Sequence, residues 1–208
     1  MTRDNHQPLP DPSTPAPARP PHWAQPVALA GIRNLYRVSA VLYRSAQPSP
    51  AGFRELQHLG VRTVLSLRAF HGKQPPPLPD SRLQFRRLPM KSWFPHRRTA
   101  IMFLRLATAP AETPLLVHCQ HGADRTGAMC AVYRVVLQGW SKQEAIREMT
   151  GGGYGFHRVW RNLPAWIRRL DAAALRAELE LDAAVDRTAA AGAARGDRPG
   201  NGTPATEP

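Results

Sequence analysis

No stretch of this 208-residue chain approaches the roughly 20 consecutive apolar residues that would span a bilayer, so no integral membrane segment is expected. Cysteine is nearly absent. The two present, Cys119 and Cys130, are too few for a disulfide framework. His, Cys, Asp and Glu nowhere gather at metal-ligand spacing, so neither a metal nor another cofactor is implied. There are no internal repeats, and the opening Met1–Pro10 lacks an apolar signal core. Acidic residues are scarce: 15 Asp and Glu stand against 28 Lys and Arg, a net charge of +13. Between residues 35 and 170 the imbalance is 21 basic to 6 acidic, or +15, so the excess belongs to the globular part. Such a field draws polyanions, meaning phosphorylated proteins or small polyanionic phosphates, with nucleic acid a less favoured partner.

What is present divides the chain in three. Residues 1–33 open with eight prolines in the first 26 positions and few apolar side chains, which reads as a disordered Pro-rich segment. Residues 34–170 read as one catalytic-sized domain. Residues 171–208 begin as an Ala- and Leu-rich helical extension and dissolve into a disordered Ala-Gly-Pro tail. Within the domain, Leu35–Ala46 reads as two short strands with a turn near Ser39-Ala40. Ser49-Pro50 opens a helix that carries Phe53, Leu56 and Leu59 on one face and stops at Gly60. Val61–Leu67 and Leu83–Leu88 read as further strands, and Thr99–Ala109 as a helix. A helix follows the signature loop and ends at Gly139. Ser141 and Glu144 form a capping-box pattern for the next one. Tyr154–Leu170 reads as a last helical stretch interrupted around Asn162-Leu-Pro164. Strands separated by helices at this spacing imply right-handed crossovers. The expected fold is α/β, a mainly parallel sheet of four to five strands flanked by helices.

The stretch on which the chain centres is Leu115–Gly127. An apolar run, Leu115–Val117, reads as a buried strand, and Thr126 onward as a helix. A strand, a tight loop and a helix N-terminus make an anion cradle, because the loop amides can face inward and the helix dipole adds about half a positive charge. Cys119 at its floor would be favoured as a thiolate and hence a nucleophile. Arg125 offers a planar fork that matches two phosphoryl oxygens. Gly122 suits the tight turn against the anion. Gln120, His121, Ala123 and Asp124 complete the phosphate-binding loop, His121 either touching substrate or facing solvent.

The pattern His118-Cys119-x5-Arg125-Thr126-Gly127 resembles the signature loop of the cysteine-dependent protein tyrosine and dual-specificity phosphatases. Leu42-Tyr-Arg-Ser-Ala-Gln-Pro-Ser49 and Gly60–Arg68 are similar to the opening of bacterial dual-specificity-like enzymes and of the atypical plant and fungal branch. The resemblance implies the cysteine-phosphatase fold and hydrolysis of phosphomonoesters through a phosphocysteine. It gives Cys119 the nucleophilic role, Arg125 the clamp, Thr126 the hydroxyl that helps sulfur leave, and His118 a supporting role in orienting the loop. A catalytic thiol implies a reducing compartment, hence a cytoplasmic location. Inositol phosphate or phosphoinositide hydrolysis, RNA 5′-triphosphatase activity and a non-catalytic phospho-binding module are the alternatives.

One absence within the domain bears on the chemistry. Tyrosine phosphatases commonly place a general-acid Asp some thirty residues before the Cys, yet Ser81 to Cys119 holds no Asp. Asp124 is the favoured substitute, because Cys-x4-Asp-Arg-Thr resembles the loops of myotubularin-type and Sac-type phosphatases. Asp80 is the second candidate, and a bracing role is the alternative for Asp124. Lys91 and Trp93 stand where the acid loop would be, with Lys91 either meeting a second phosphate or facing solvent. Arg68, after its strand, is a secondary anion contact or an ordinary surface Arg. Cys130 reads as core packing.

Overall fold

The structure is a computed structural model that describes residues 19–70 and 82–181. One mixed sheet organises it, in the order β1-β2-β3-β6-β4-β5. The strands are β1 Gln25–Pro26, β2 Tyr36–Arg37, β3 Leu42–Ser45, β4 Thr63–Arg68, β5 Gln84–Met90 and β6 Leu115–His118. The four strands β3, β6, β4 and β5 run parallel, and the short β1 and β2 add an antiparallel flank. The expected four to five strands thus become six, and the sheet is mixed. The extra strand lies inside the segment expected to be disordered. It is two residues long and sits at the sheet edge, the place where a strand tolerates Pro26. The N-terminal expectation therefore changes at residue 19. From there the chain is folded onto the domain, whereas residues 1–18 lie outside the described residues.

The parallel arrangement places the C-terminal ends of β3, β4, β5 and β6 along one edge, where α/β sheets bind ligands. The central strand β6 pairs on both sides, Leu115 with Leu42 and Thr63, His118 with Ser45 and Ser66. All four of its residues are buried, so it reads as an apolar run rather than an alternating strand.

The helices form for local reasons. Helix α1, Pro50–His58, is capped by the Ser49 hydroxyl, which accepts from the Gly52 amide, with Pro50 at its first turn. Gly60 follows it with φ 82°. Helix α2 spans Arg97–Thr108, and α3, Asp124–Leu137, fills the space under the sheet, with twelve of its residues buried. Such an all-round buried helix has no polar face to give an amphipathic signal. Helix α4, Lys142–Gly151, is capped by Ser141, but only half of the expected capping box forms. Glu144 turns instead to the N-terminal segment, accepting from the Trp23 indole at 2.7 Å and meeting His22 at 3.2 Å. A 3-10 turn, Arg158–Trp160, precedes α5, Asn162–Arg169. Pro164 falls within the first turn of α5, where its missing N–H costs nothing, so the break lies before Asn162. Residues 172–181 are helical. Leu175 is buried there, and Glu178 pairs with Arg97.

The N-terminal residues 19–24 strap α4 to the sheet. Arg19 donates to the Gly152 carbonyl at 2.6 Å and lies over the rings of Tyr36 and Tyr154. The Ala24 amide donates to Glu148 at 2.6 Å. Glu148 is buried and also receives the Arg134 guanidinium through two 2.8 Å contacts and the Tyr154 hydroxyl at 3.2 Å. A buried carboxylate supplied with this many donors is stable where an unpaired one would not be.

Candidate active site

The Cys119–Arg125 loop leaves β6 and enters α3 at Asp124, as the strand–loop–helix pattern predicts. Its curvature is held from outside. The Cys119 carbonyl accepts from His118 Nδ1 at 3.1 Å, and that of Gln120 from the Gln47 amide at 3.2 Å. The His121 carbonyl accepts from Asn34 Nδ2 at 2.8 Å, and that of Gly122 from Arg44 Nη2 at 2.7 Å. The Ala123 carbonyl accepts from the Gly127 amide at 2.8 Å. Four successive carbonyls, Cys119 to Gly122, are thus drawn outward by groups outside the loop, and that of Ala123 closes the first turn of α3. In a trans peptide the following N–H points the opposite way, so the amides of Gln120 through Asp124 turn to the inner face. None of them donates to another group among the described residues. Inward amides at a helix N-terminus are an anion site.

Gly122 has φ 71°, and a Cβ there would come within 2.5 Å of both the Ala46 nitrogen and the Ser45 oxygen. The loop therefore rests directly on the end of β3, an approach only glycine permits. Cys119 is 1% exposed at the floor. Arg125 is half-buried, and no described residue pairs with its guanidinium, which leaves the fork free for a ligand. Thr126 is fully buried, and its hydroxyl finds no partner among the described residues. A buried hydroxyl without a partner is costly, unless a sulfur or phosphoryl group completes it.

His118 is buried, and its pKa is pushed down to about 4 by burial, with the Arg68 charge adding to the effect. At neutral pH it is therefore an uncharged ring that donates through Nδ1 to the Cys119 carbonyl. Arg68 ends β4 near the loop and donates to Gln47 Oε1 at 3.3 Å. Lys91 follows β5, is exposed, and lies 6.0 Å from the Trp93 ring. Trp93, more than half exposed like Phe70, stacks on Phe70 at 6.2 Å and on the half-buried Trp160, which packs against the core, at 6.4 Å. Cys130 is buried in α3, and burial raises its pKa to about 11, so it is an inert thiol.

Asp124 meets His157. Its Oδ1 accepts from the His157 amide at 2.8 Å and its Oδ2 lies 2.8 Å from His157 Nδ1. Asp80 lies outside the described residues. The sequence reading missed His157, Arg44, Asn34 and Gln47. Arg44 is 1% exposed, and Tyr154 lies 3.5 Å from its guanidinium carbon. The one signal for it is a charged residue inside a strand otherwise built for burial. Asn34 has φ 57°, a turn conformation Asn tolerates, but nothing local ties it to the loop. Among the described residues no cluster of His, Cys, Asp and Glu is arranged to hold a metal, and no helix is long and apolar enough to cross a membrane.

Comparison with known proteins places the chain among phosphatases. The family described as DSP-PTPase phosphatase fused to NAD+ kinase matches residues 25–158. The dual specificity protein phosphatase TpbA of Pseudomonas aeruginosa is 40% identical over 167 residues, 77% of this chain and 72% of that protein. The crystal structure of TpbA superposes with a TM-score of 0.69 at 38% identity, covering 78% of this chain and 99% of the other. A Cys-to-Ser variant of TpbA in complex with pTyr gives the same TM-score at 36% identity, with the same coverage of both chains. The core catalytic domain of a PP-IP phosphatase from S. cerevisiae shares the fold, with a TM-score of 0.65 at 20% identity over 74% of this chain and 96% of that one. With its amide-lined cradle, buried sulfur and free guanidinium, and with relatives alike over most of its length, this chain belongs to the cysteine-dependent protein phosphatases of the dual-specificity and tyrosine type.

Proposed function

We propose that the substrates are phosphotyrosyl proteins and that the loop residues divide the work as follows. The Cys119 thiolate attacks phosphorus. The amides of Gln120 to Asp124 hold the equatorial oxygens, and Arg125 clamps two of them as charge builds in the transition state. Thr126 donates its otherwise unpartnered hydroxyl to the sulfur when water displaces it. The neutral His118 keeps the first peptide of the loop turned outward. The observation that carries this reading is the run of four outward-tied carbonyls leading into the α3 N-terminus, because it commits the loop to an anion before one arrives.

The aromatic row favours an aryl ester. Phe70, Trp93 and Trp160 stand on segments that leave the same sheet edge as the loop or pack beside it, and Phe70 and Trp93 are more than half exposed. Exposed aromatics in a row are unusual unless they meet a ligand. Here they offer faces for a phosphotyrosyl ring or for apolar residues next to it. Arg68 and Lys91 serve as outer anion contacts for acidic residues flanking the phosphate.

The test is a side-by-side panel of phosphotyrosyl, phosphoseryl and phosphothreonyl peptides, inositol phosphates and triphosphorylated RNA. The expected order puts phosphotyrosyl peptides first in kcat/KM, with Trp93→Ala raising KM for them several-fold at little change in kcat. Cys119→Ser should lose all turnover while still binding phosphate. Preferred turnover of inositol phosphates or RNA would overturn the substrate assignment.

A further inference from the structure

We propose that His157 is the proton donor to the leaving group and that Asp124 is the positioning residue that holds its imidazole. The proposal rests on the phosphatase reading and supplies what that reading lacks, since Ser81–Cys119 contains no Asp. Asp124 is inside the loop, but its two oxygens both accept from His157, one from the amide and one from Nδ1, each at 2.8 Å. The carboxylate is thus turned to the ring. A carboxylate at Nδ1 keeps a proton on that nitrogen and leaves Nε2 as the nitrogen that gains and loses one. Nε2 has no partner among the described residues, and the side chain is 50% exposed.

The backbone delivers the ring to the loop by design of the preceding turn. Helix α4 ends at Gly151, and the chain doubles back through Gly153 and Gly155, both with positive φ. His157 then meets the first residue of α3. Its ring centroid lies 5.5 Å from that of His121, on the rim of the loop. A base held by an orienting carboxylate beside a nucleophile loop is the arrangement general acid–base catalysis requires.

The steps balance. In the first, the Cys119 sulfur–phosphorus bond forms and the ester P–O bond breaks. The departing oxygen keeps the electron pair and takes the proton from Nε2. In the second, a water oxygen bonds to phosphorus, the S–P bond breaks to return the thiolate, and the water proton passes to Nε2. The ring ends as it began, and for a phosphotyrosyl ester the products are the tyrosine phenol and phosphate.

His157→Asn is the discriminating variant, because its backbone amide still serves Oδ1 and its side-chain amide can replace the Nδ1 donor. Turnover is compared on phenyl phosphate, a poor leaving group, and 2,4-dinitrophenyl phosphate, a good one. The expected result is a fall in kcat/KM of about 100-fold or more on the first and less than about 3-fold on the second, with inhibition by inorganic phosphate unchanged. Asp124→Asn should show the same split. His157→Gln repeats the test if the first variant folds poorly. Equal losses on both esters, no loss on either, or a split produced by His121→Asn instead would overturn the assignment. Cys119→Ser run in parallel separates the two layers, since turnover surviving in it would sink the phosphocysteine reading itself.

Discussion

Replacing Gly122 by alanine should separate backbone strain from the fit of the loop on the sheet. A non-glycine residue in the left-handed region costs roughly 1–2 kcal/mol. Gly139, which ends α3, has φ 72° and nothing within 4 Å of an added Cβ. Gly139→Ala therefore reports the strain alone. For a chain of this size each kcal/mol shifts Tm by about 2–4 °C, so a few degrees of loss at unchanged kcat/KM is expected. Gly122 has an almost identical φ of 71°, but its Cβ would meet the Ala46 nitrogen and Ser45 oxygen at 2.5 Å, where real Cβ atoms stay beyond 3.0 Å. The obstacle is backbone, not a flexible side chain, so the loop must lift by about half an ångström from β3. Misplacing reacting groups by about 1 Å costs on the order of 100-fold in rate. Gly122→Ala should therefore lose as much Tm as Gly139→Ala or more, and about 10- to 100-fold in kcat/KM, with weaker inhibition by phosphate. The assay is turnover of an aryl phosphate beside thermal unfolding of both variants. If Gly122→Ala matched Gly139→Ala in Tm and kept kcat/KM within about twofold, the contact with β3 would not be what shapes the cradle.

Two further outcomes follow from single groups. His118 is held neutral when folded, its pKa near 4 against the usual 6.5, so the unfolded chain binds a proton that the folded one refuses between those values. That stability is complete above pH 6.5 and is lost as pH falls to about 4. It amounts to about 3 kcal/mol, measurable as the shift of urea midpoints with pH, and His118→Asn should remove that part of the slope. Among the thiols, iodoacetamide near neutral pH should add one group, at Cys119, with inorganic phosphate protecting. Mass spectrometry that located the label on the buried Cys130 would contradict the assignment of its role as packing.

The sequence made some parts plain and concealed others for physical reasons. Ser49, Gly60, Gly139 and Ser141 mark helix ends through their own side chains or their own φ, so they are readable one residue at a time. The strand–loop–helix around Cys119 is readable because burial and the loop spacing coincide. Arg44 was not, because β3 buries all four residues and its Nη2 bonds to loop carbonyls almost eighty positions away. His157 lay hidden in a stretch that reads as helix but is turned out of it by glycines, and its partner is thirty-three residues distant. The capping box was half right: Ser141 caps α4 as expected, but Glu144 is claimed by Trp23, a competitor no local pattern contains. Long-range polar pairing leaves no periodic trace, whereas apolar faces do.

The strap of residues 19–24 makes the boundary of the working enzyme a chemical question. A protein trimmed to begin at residue 34, the start of the domain as read from the sequence, keeps every residue of the signature loop. It also strips Ala24 from Glu148 and Arg19 from Tyr154, and the Tyr154 ring lies against the guanidinium that anchors Gly122. Such pruning would slacken a guy-rope whose far end is the catalytic loop, and the shortened protein would lose activity with all its signature intact.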